Sequence, residues 1–183
     1  MVDFLKQIDT SLFLWLNGKH NYFFDVLMFT VTNKYTWIPF YLLLLWIIAK
    51  KFGPSFFSIF ISVVITIALS DQLSVHLFKN VFLRYRPCHN PDIKAQIHLL
   101  GNCGGMYGFV SSHAANTFAL ATFLAFLFRS KTFTWFIFFW AALVSYSRIY
   151  TGVHYPADIF AGSLLGITIS LLTYSLYKKL NKE

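Results

Sequence analysis

Apolar residues run through this chain in long blocks separated by short polar breaks. Blocks at residues 35–50, 55–78, 111–129, 132–148 and 157–177 each approach the length needed to carry a helix across a hydrocarbon core of roughly 30 Å, which takes about 20 residues. The first and fourth are short and need tilt or flanking aromatics to complete a crossing. The breaks are FGPS at 52–55, RSK at 129–131, TGVHYP at 151–156 and one long polar loop, 87–110. Upstream, Phe4 to Leu16 carries apolar side chains at 4, 5, 8, 12, 13 and 16, with Lys6, Gln7 and Asp9 between them. That spacing predicts a helix lying in the membrane interface. Residues 22–32 are too few for a simple crossing and fit either a half-inserted hairpin or a tilted helix. The pattern predicts an all-α integral membrane helix bundle of about five or six membrane segments preceded by an N-terminal interfacial helix, in a single domain over residues 1–183.

Composition sharpens this reading. The chain is 57% hydrophobic and 12% charged, well outside the make-up of a soluble globular domain. The opening MVDFLKQIDTSL has Asp3 and Asp9 where a signal peptide needs a basic and then an apolar stretch, so no cleavable signal is expected. A net charge of +8 suits a nucleic-acid partner only if the bases form a stripe on a soluble face, and they do not. Lys50, Lys51, Arg129, Lys131, Lys178, Lys179 and Lys182 fall at the same ends of alternating segments, which the positive-inside rule assigns to the cytoplasm. The expected partners are therefore a lipid bilayer and a ligand at the opposite ends, with no nucleic acid.

Those outward ends are chemically rich. They carry Lys79, Arg84 and Arg86 after the second block, Ser111 and His113 opening the third, Arg148 closing the fourth, and His154 and Asp158 leading into the fifth. A cation held at membrane depth costs on the order of 2.5–3.5 kcal/mol, so an anionic ligand is expected to offset this cluster. Snorkelling of long side chains accounts for Arg84 or Lys94, but gives no reason for two histidines and an aspartate beside them.

Three stretches stand together: KNVFLRYRP at 79–87, VSSHAAN at 110–116 and SRIYTGVHYPAD at 147–158. They resemble the three signature motifs of the type 2 phosphatidic acid phosphatase superfamily, K-x6-R-P, P-S-G-H and S-R-x5-H-x3-D. Lys79, Arg86 and Pro87 match the first, and Ser147, Arg148, His154 and Asp158 the third. The second matches at Ser111 and His113, with Val110 in place of Pro and Ser112 in place of Gly. The latter change bears on the loop conformation, because Gly permits backbone angles that Ser resists.

The residues support the same chemistry on their own terms. A phosphate ester is an anion with a very slow uncatalysed hydrolysis, so an enzyme must hold charge and supply both nucleophile and acid. Lys79, Arg86 and Arg148 can clamp phosphoryl oxygens. Ser111 falls at a helix start, where its hydroxyl and the free amides near Ser112 and His113 suit an anion; a plain N-cap is the simpler reading of Ser111. His154 is the candidate nucleophile, forming a phosphohistidine. Asp158, four residues on, would fix its tautomer. His113 would protonate the leaving oxygen and later take a proton from water. Asp71 precedes Lys79 by eight residues and can link to it through other groups, or make a structural pair; His76 reads as structural. Cys88, His89, His98 and Cys103 do not have a recognised zinc spacing, and a Cys88–Cys103 disulfide is the favoured reading if the loop meets an oxidising compartment. The glycines of GNCGGMYG make that loop adaptable, as a lid or a head-group contact.

The resemblance, with the stretch Ile8 to Asn17 that reads I-D-x2-L-F-x2-L-N, is to bacterial envelope phosphatases acting on undecaprenyl diphosphate, lipid A phosphates or phosphatidylglycerophosphate. The expectation is a phosphatase of the bacterial inner membrane, active without a metal or other cofactor, with its site facing outward. The rival class is a lipid-phosphate binding or transport protein that uses the same anion site without chemistry. The vanadium haloperoxidases share similar motifs but resemble larger soluble proteins.

Overall fold

The computed structural model describes residues 2–181; Lys182, assigned above to the cytoplasmic end, lies outside them. Helices α1 (Val2–Asn17), α2 (Tyr22–Thr32), α3 (Ile38–Phe52), α4 (Phe56–Leu73), the single turn α5 (Asn80–Phe82), α6 (Ser112–Phe128), α7 (Lys131–Tyr150) and α8 (Pro156–Asn181) follow in order. Between α4 and α5 the coil widens into a π-helical stretch, Ser74–Lys79. Regular strands are absent among the described residues, which carry one isolated bridge between Tyr85 and Tyr107. Two helical runs, Lys34–Phe82 and Pro156–Asn181, are long and apolar enough to cross a membrane. The first is broken at Gly53, whose φ of +48° suits glycine best. Large apolar side chains such as Leu42, Trp46, Ile61, Phe139, Phe160 and Leu172 are exposed, as expected of a bundle whose outer surface meets lipid.

Side-chain contacts fix which helix ends lie together. Ser58 donates to Asn181 at 2.9 Å and Thr66 to Thr173 at 2.7 Å, so α4 and α8 run antiparallel. The Phe52 and Phe128 rings meet edge to face at 5.6 Å, bringing the ends of α3 and α6 to the same level. Lys51 lies over the Phe128 ring at 4.9 Å. The bases of this end are thus grouped, while Ser74 meets Ser112 at the other end, 2.6 Å between hydroxyls.

The closest helix pair is α6 with α8, and glycine makes it possible. A Cβ on Gly162 would stand 2.6 Å from the Ser111 carbonyl oxygen, and one on Gly166 2.1 Å from that of Ala115. Small residues at four-residue spacing let two backbones touch where lipid offers no hydrophobic drive to association. The same approach lets the Ser111 amide donate to the Asp158 carbonyl at 3.0 Å, clipping the start of α6 to the start of α8.

The other predicted elements take definite form. Residues 22–32 form a single helix, N-capped by Asn21, which accepts from the Phe24 amide at 3.0 Å. At about 1.5 Å per residue its length is roughly 16 Å, too short to cross. Helix α1 presents Phe4, Leu5, Ile8, Leu12 and Trp15 outward, as an interfacial helix requires. Asp9, one turn before Phe13 and two before Asn17, faces in with them, and all three are buried.

Valine at Gly166 forces α6 and α8 apart. Overpacking of this kind costs about 1–3 kcal/mol or more, so Gly166→Val should lower the thermal unfolding temperature in detergent, whereas the same change at exposed Leu172 should leave it within experimental scatter.

Candidate functional site

The three motif stretches meet at one end of the bundle, each placed by a different helix end. The turn after α7 delivers His154: its amide donates to the Arg148 carbonyl at 3.2 Å, folding the chain back so that Arg148 and His154 are neighbours. The imidazole is 1% exposed. Its Nδ1 stands 3.3 Å from Asp158 Oδ2. A carboxylate only accepts, so this contact puts the proton on Nδ1. Nε2 makes no hydrogen bond among the described residues and has its lone pair free.

Asp158 sits in the first turn of α8 with no exposed surface. Oδ2 also accepts from the Tyr155 amide at 3.0 Å, while Oδ1 accepts from Arg84 Nη1 at 3.0 Å. Enclosure first, and then the charges of Arg86, Arg148, Lys79 and Arg84, hold the His154 imidazole well below its ordinary value of 6.5. The ring is therefore neutral at pH 7, the state in which it can attack.

The cations converge from three segments. Lys79, at the end of the π-helical stretch, donates to Ser112 Oγ at 2.6 Å. Arg86 donates through Nε to the Tyr107 carbonyl at 3.3 Å. Arg148 donates to the Thr32 hydroxyl, and its Nε is buried without a partner. None of the three has a carboxylate within ion-pair distance among the described residues. His113, on the first turn of α6, is within electrostatic reach of Arg148, His154, Lys79 and Arg86. Ser111 is enclosed and caps α6, accepting from the Ala114 amide at 3.5 Å.

A cavity of about 510 Å³ lies between α3, α4, α6 and α7 and meets the site at Ser112 and His113, while Lys79, Arg86, Arg148 and His154 do not line it. Its polar end is formed by Thr32, Lys34, Asp71, Ser112, His113 and Asn116, and its apolar depth by residues such as Tyr41, Leu44, Ile48, Ile59, Val63 and Leu124. A group with a polar head and an apolar tail fits its two ends.

Ser112, in the position where Gly was expected, does not have a left-handed backbone, so no glycine is needed there. Its hydroxyl joins Ser74 to Lys79. Asp71 does not pair directly with Lys79. It accepts from Asn116 Nδ2 at 3.2 Å, and its carbonyl accepts from Ser74 Oγ at 2.7 Å, which connects it to Lys79 through two serines. Arg84 does not snorkel: it forms ion pairs with Asp158 and, at 2.6 Å, with Asp9. Lys94 is exposed, and exposed His76 meets Gln72 at 3.2 Å.

Cys88 and Cys103 are bonded, with Cα atoms 6.1 Å apart. His89 meets the Gly104 carbonyl at 3.1 Å. His98 lies elsewhere, stacked on His20 and 2.9 Å from Asp25. The four residues do not form one metal site.

Gly108 is a site residue that motif spacing does not single out. A Cβ there would stand 3.1 Å from Arg86 Cγ, 3.2 Å from Asp158 Oδ2 and 3.4 Å from His154 Nδ1. The backbone of the long loop thus lies directly over the His154–Asp158 contact. Gly108→Ala should lower kcat by about tenfold or more while leaving the unfolding temperature nearly unchanged, since displacements below an ångström at reacting groups are costly in rate; steady-state kinetics and thermal unfolding check this together.

The sequence model of the PAP2 superfamily matches residues 55–182. Among curated proteins, a lipid A 4'-phosphatase of Bacteroides thetaiotaomicron is 38% identical, covering 98% of this chain and 81% of the relative. A lipid A 4'-phosphatase of Porphyromonas gingivalis is 36% identical over 96% of this chain and 75% of its own length. An undecaprenyl-diphosphatase of Sulfolobus acidocaldarius is 34% identical over 96% and 77% respectively. Among solved structures, Aquifex aeolicus LpxE superposes with a TM-score of 0.67 at 24% identity, covering 91% of this chain and 94% of that one. A Bacillus subtilis phosphatidylglycerolphosphate phosphatase superposes with a TM-score of 0.73 at 19% identity, over 96% and 87%. These two show a shared fold.

Proposed function

The chain belongs to the PAP2 superfamily and is a lipid phosphatase; from that premise we propose that it removes a terminal phosphate from an envelope lipid of the lipid A type through a phosphohistidine at His154. The observation that carries this reading is the convergence of Lys79, Arg86 and Arg148, without carboxylate partners among the described residues, on an enclosed histidine whose Nε2 makes no hydrogen bond there.

In the proposed reaction the phosphoryl oxygens sit among these three cations, which compensate the charge a metal would otherwise carry. Nε2 of His154 attacks phosphorus and the bond from phosphorus to the lipid oxygen breaks. His113 gives a proton to that oxygen. Water then attacks the phosphorus of the phosphohistidine, His113 takes the water's proton, the P–N bond breaks and inorganic phosphate leaves. Asp158 keeps the Nδ1 proton in place throughout and offsets the positive ring that forms on attack. The lipid head meets Ser112 and His113 while the tail follows the apolar cavity between α3 and α4. Undecaprenyl diphosphate is the second reading, favoured by the archaeal relative and by the same cavity.

In this reading the site faces outward from the bacterial inner membrane. Lys50, Lys51, Arg129, Lys131, Lys178 and Lys179 lie at the other end of the helices, consistent with the positive-inside rule. The Cys88–Cys103 bond lies in the loop over the site, and disulfides persist in oxidising compartments. After reduction, a membrane-impermeant thiol reagent should label both cysteines in intact cells; labelling that requires lysis would reverse the orientation.

Purified protein in the presence of EDTA should release phosphate from lipid A, and His154→Ala should lower kcat by about 10³-fold or more. Release abolished by chelation, or surviving the substitution, rejects the mechanism. Undecaprenyl diphosphate assayed in parallel decides between the two lipids by the ratio of kcat/KM values.

A further inference from the structure

Helix α1 contributes a side chain to this end of the bundle that the proposed reaction does not use. Asp9 Oδ2 accepts from Arg84 Nη2 at 2.6 Å, and Asp9 Oδ1 accepts from the Ala157 amide at 2.9 Å. Ala157 precedes Asp158 in the first turn of α8, where backbone amides have no helical acceptor. Arg84 Nη1 meets Asp158 Oδ1 at 3.0 Å. A closed ring results: Asp9 to Arg84, Arg84 to Asp158, and Asp158 through the α8 backbone to Ala157 and back to Asp9.

The ring is built. Leu83 takes φ of +46°, a left-handed conformation that a side chain disfavours, as the chain leaves α5 just before Arg84. The guanidinium lies over the Tyr155 ring at 4.1 Å, and the Tyr155 hydroxyl accepts from Asn90 at 3.1 Å. Phe13, one turn along α1 from Asp9, packs edge to face on the same Tyr155 ring at 5.3 Å. Asn17, one turn further, donates to the His98 and Tyr150 carbonyls at 2.9 and 2.8 Å. Asp9, Phe13 and Asn17 are the polar and aromatic anchors of the I-D-x2-L-F-x2-L-N stretch, and all three face inward.

Charge explains what the ring does. Asp158 has no exposed surface, and an enclosed carboxylate held only by an imidazole and an amide is costly without a cation. Arg84 supplies the cation. Two carboxylates on one guanidinium leave the group net negative, so Asp158 keeps the acceptor character that holds the proton on His154 Nδ1. We propose that Asp9 and Arg84 are positioning residues: Arg84 keeps Asp158 charged, Asp9 on the N-terminal helix keeps Arg84 aimed, and the two together fix the tautomer that frees His154 Nε2. The kinetic consequence rests on the phosphatase reading above; the tautomer claim does not.

The test uses Asp9→Asn and Arg84→Met, each alone and combined with Asp158→Asn, with Arg84→Lys as the conservative variant. Asparagine keeps an oxygen for the Ala157 amide and removes only the charge. Supporting shells of this kind are worth about 10–100-fold in activity. Each single variant should lose about that factor in kcat with KM changed less than about threefold, because the phosphate clamp is untouched. Arg84→Lys should recover part of the loss. In the Asp158→Asn background the same changes should have almost no further effect, since residues acting through one group are not additive. Nitrogen-15 spectra of histidine-labelled protein read the His154 tautomer without turnover: protonated Nδ1 in the parent, shifted towards protonated Nε2 in Arg84→Met. An unchanged tautomer overturns the proposal even if no lipid phosphate is hydrolysed. A rise in KM with kcat preserved, or losses that multiply with Asp158→Asn, also overturns it. If the parent shows the expected tautomer and no hydrolysis of any lipid phosphate, the phosphatase reading fails and the positioning role stands.

Discussion

The arrangement depends on one enclosed carboxylate. Asp158 has no exposed surface, yet its two oxygens accept from His154, the Tyr155 amide and Arg84. Those three contacts join the turn after α7, the start of α8 and the segment after α5 into one unit. A carboxylate so placed is stable only if every lone pair is met and a cation stands by. Meeting that demand orders the surrounding backbone, and the ordered backbone in turn holds an imidazole with one nitrogen engaged and the other free.

The other polar groups distribute around this unit with separate tasks. Lys79, Arg86 and Arg148 are held by neutral partners: a serine hydroxyl, a carbonyl and a threonine hydroxyl. Neutral partners orient a cation without cancelling its charge, which leaves it available to an anion. Arg84 is the opposite case, since two carboxylates occupy it. Four cations within a short stretch of space thus divide into three available for a ligand and one committed to the scaffold. The helix packing has the same logic on a larger scale. Close approach of α6 to α8 at Gly162 and Gly166 brings the Ser111 amide onto the Asp158 carbonyl, so the turn bearing His113 and the turn bearing Asp158 share one rigid junction.

Much of this was legible in the chain. Long apolar runs give helices because lipid leaves backbone groups no other partner, and the spacing from Lys79 to Arg86 and from Arg148 to Asp158 survives intact in the folded site. What the sequence left open has physical reasons. Arg84 looks like an interfacial cation when its neighbours are counted along the chain, because its partners, Asp9 and Asp158, are 75 and 74 residues away. Asp9 stands in the chain between apolar positions, and only its partners Arg84 and the Ala157 amide reveal its task. Ser112 stands where the motif has Gly, and the task of its hydroxyl, between Ser74 and Lys79, shows only in the fold. Gly108 carries no side chain to notice, and its importance lies in what a Cβ would strike.

The central claim is that His154 carries the phosphoryl group between the two steps. The direct measurement is an alkaline quench of the enzyme during turnover, followed by mass spectrometry of its peptides, since phosphohistidine survives base and is lost in acid. The account predicts a phosphoryl group on the peptide containing His154 and on no other. Phosphorylation of the His113 peptide instead, or turnover with no phosphorylated peptide at any time, contradicts it.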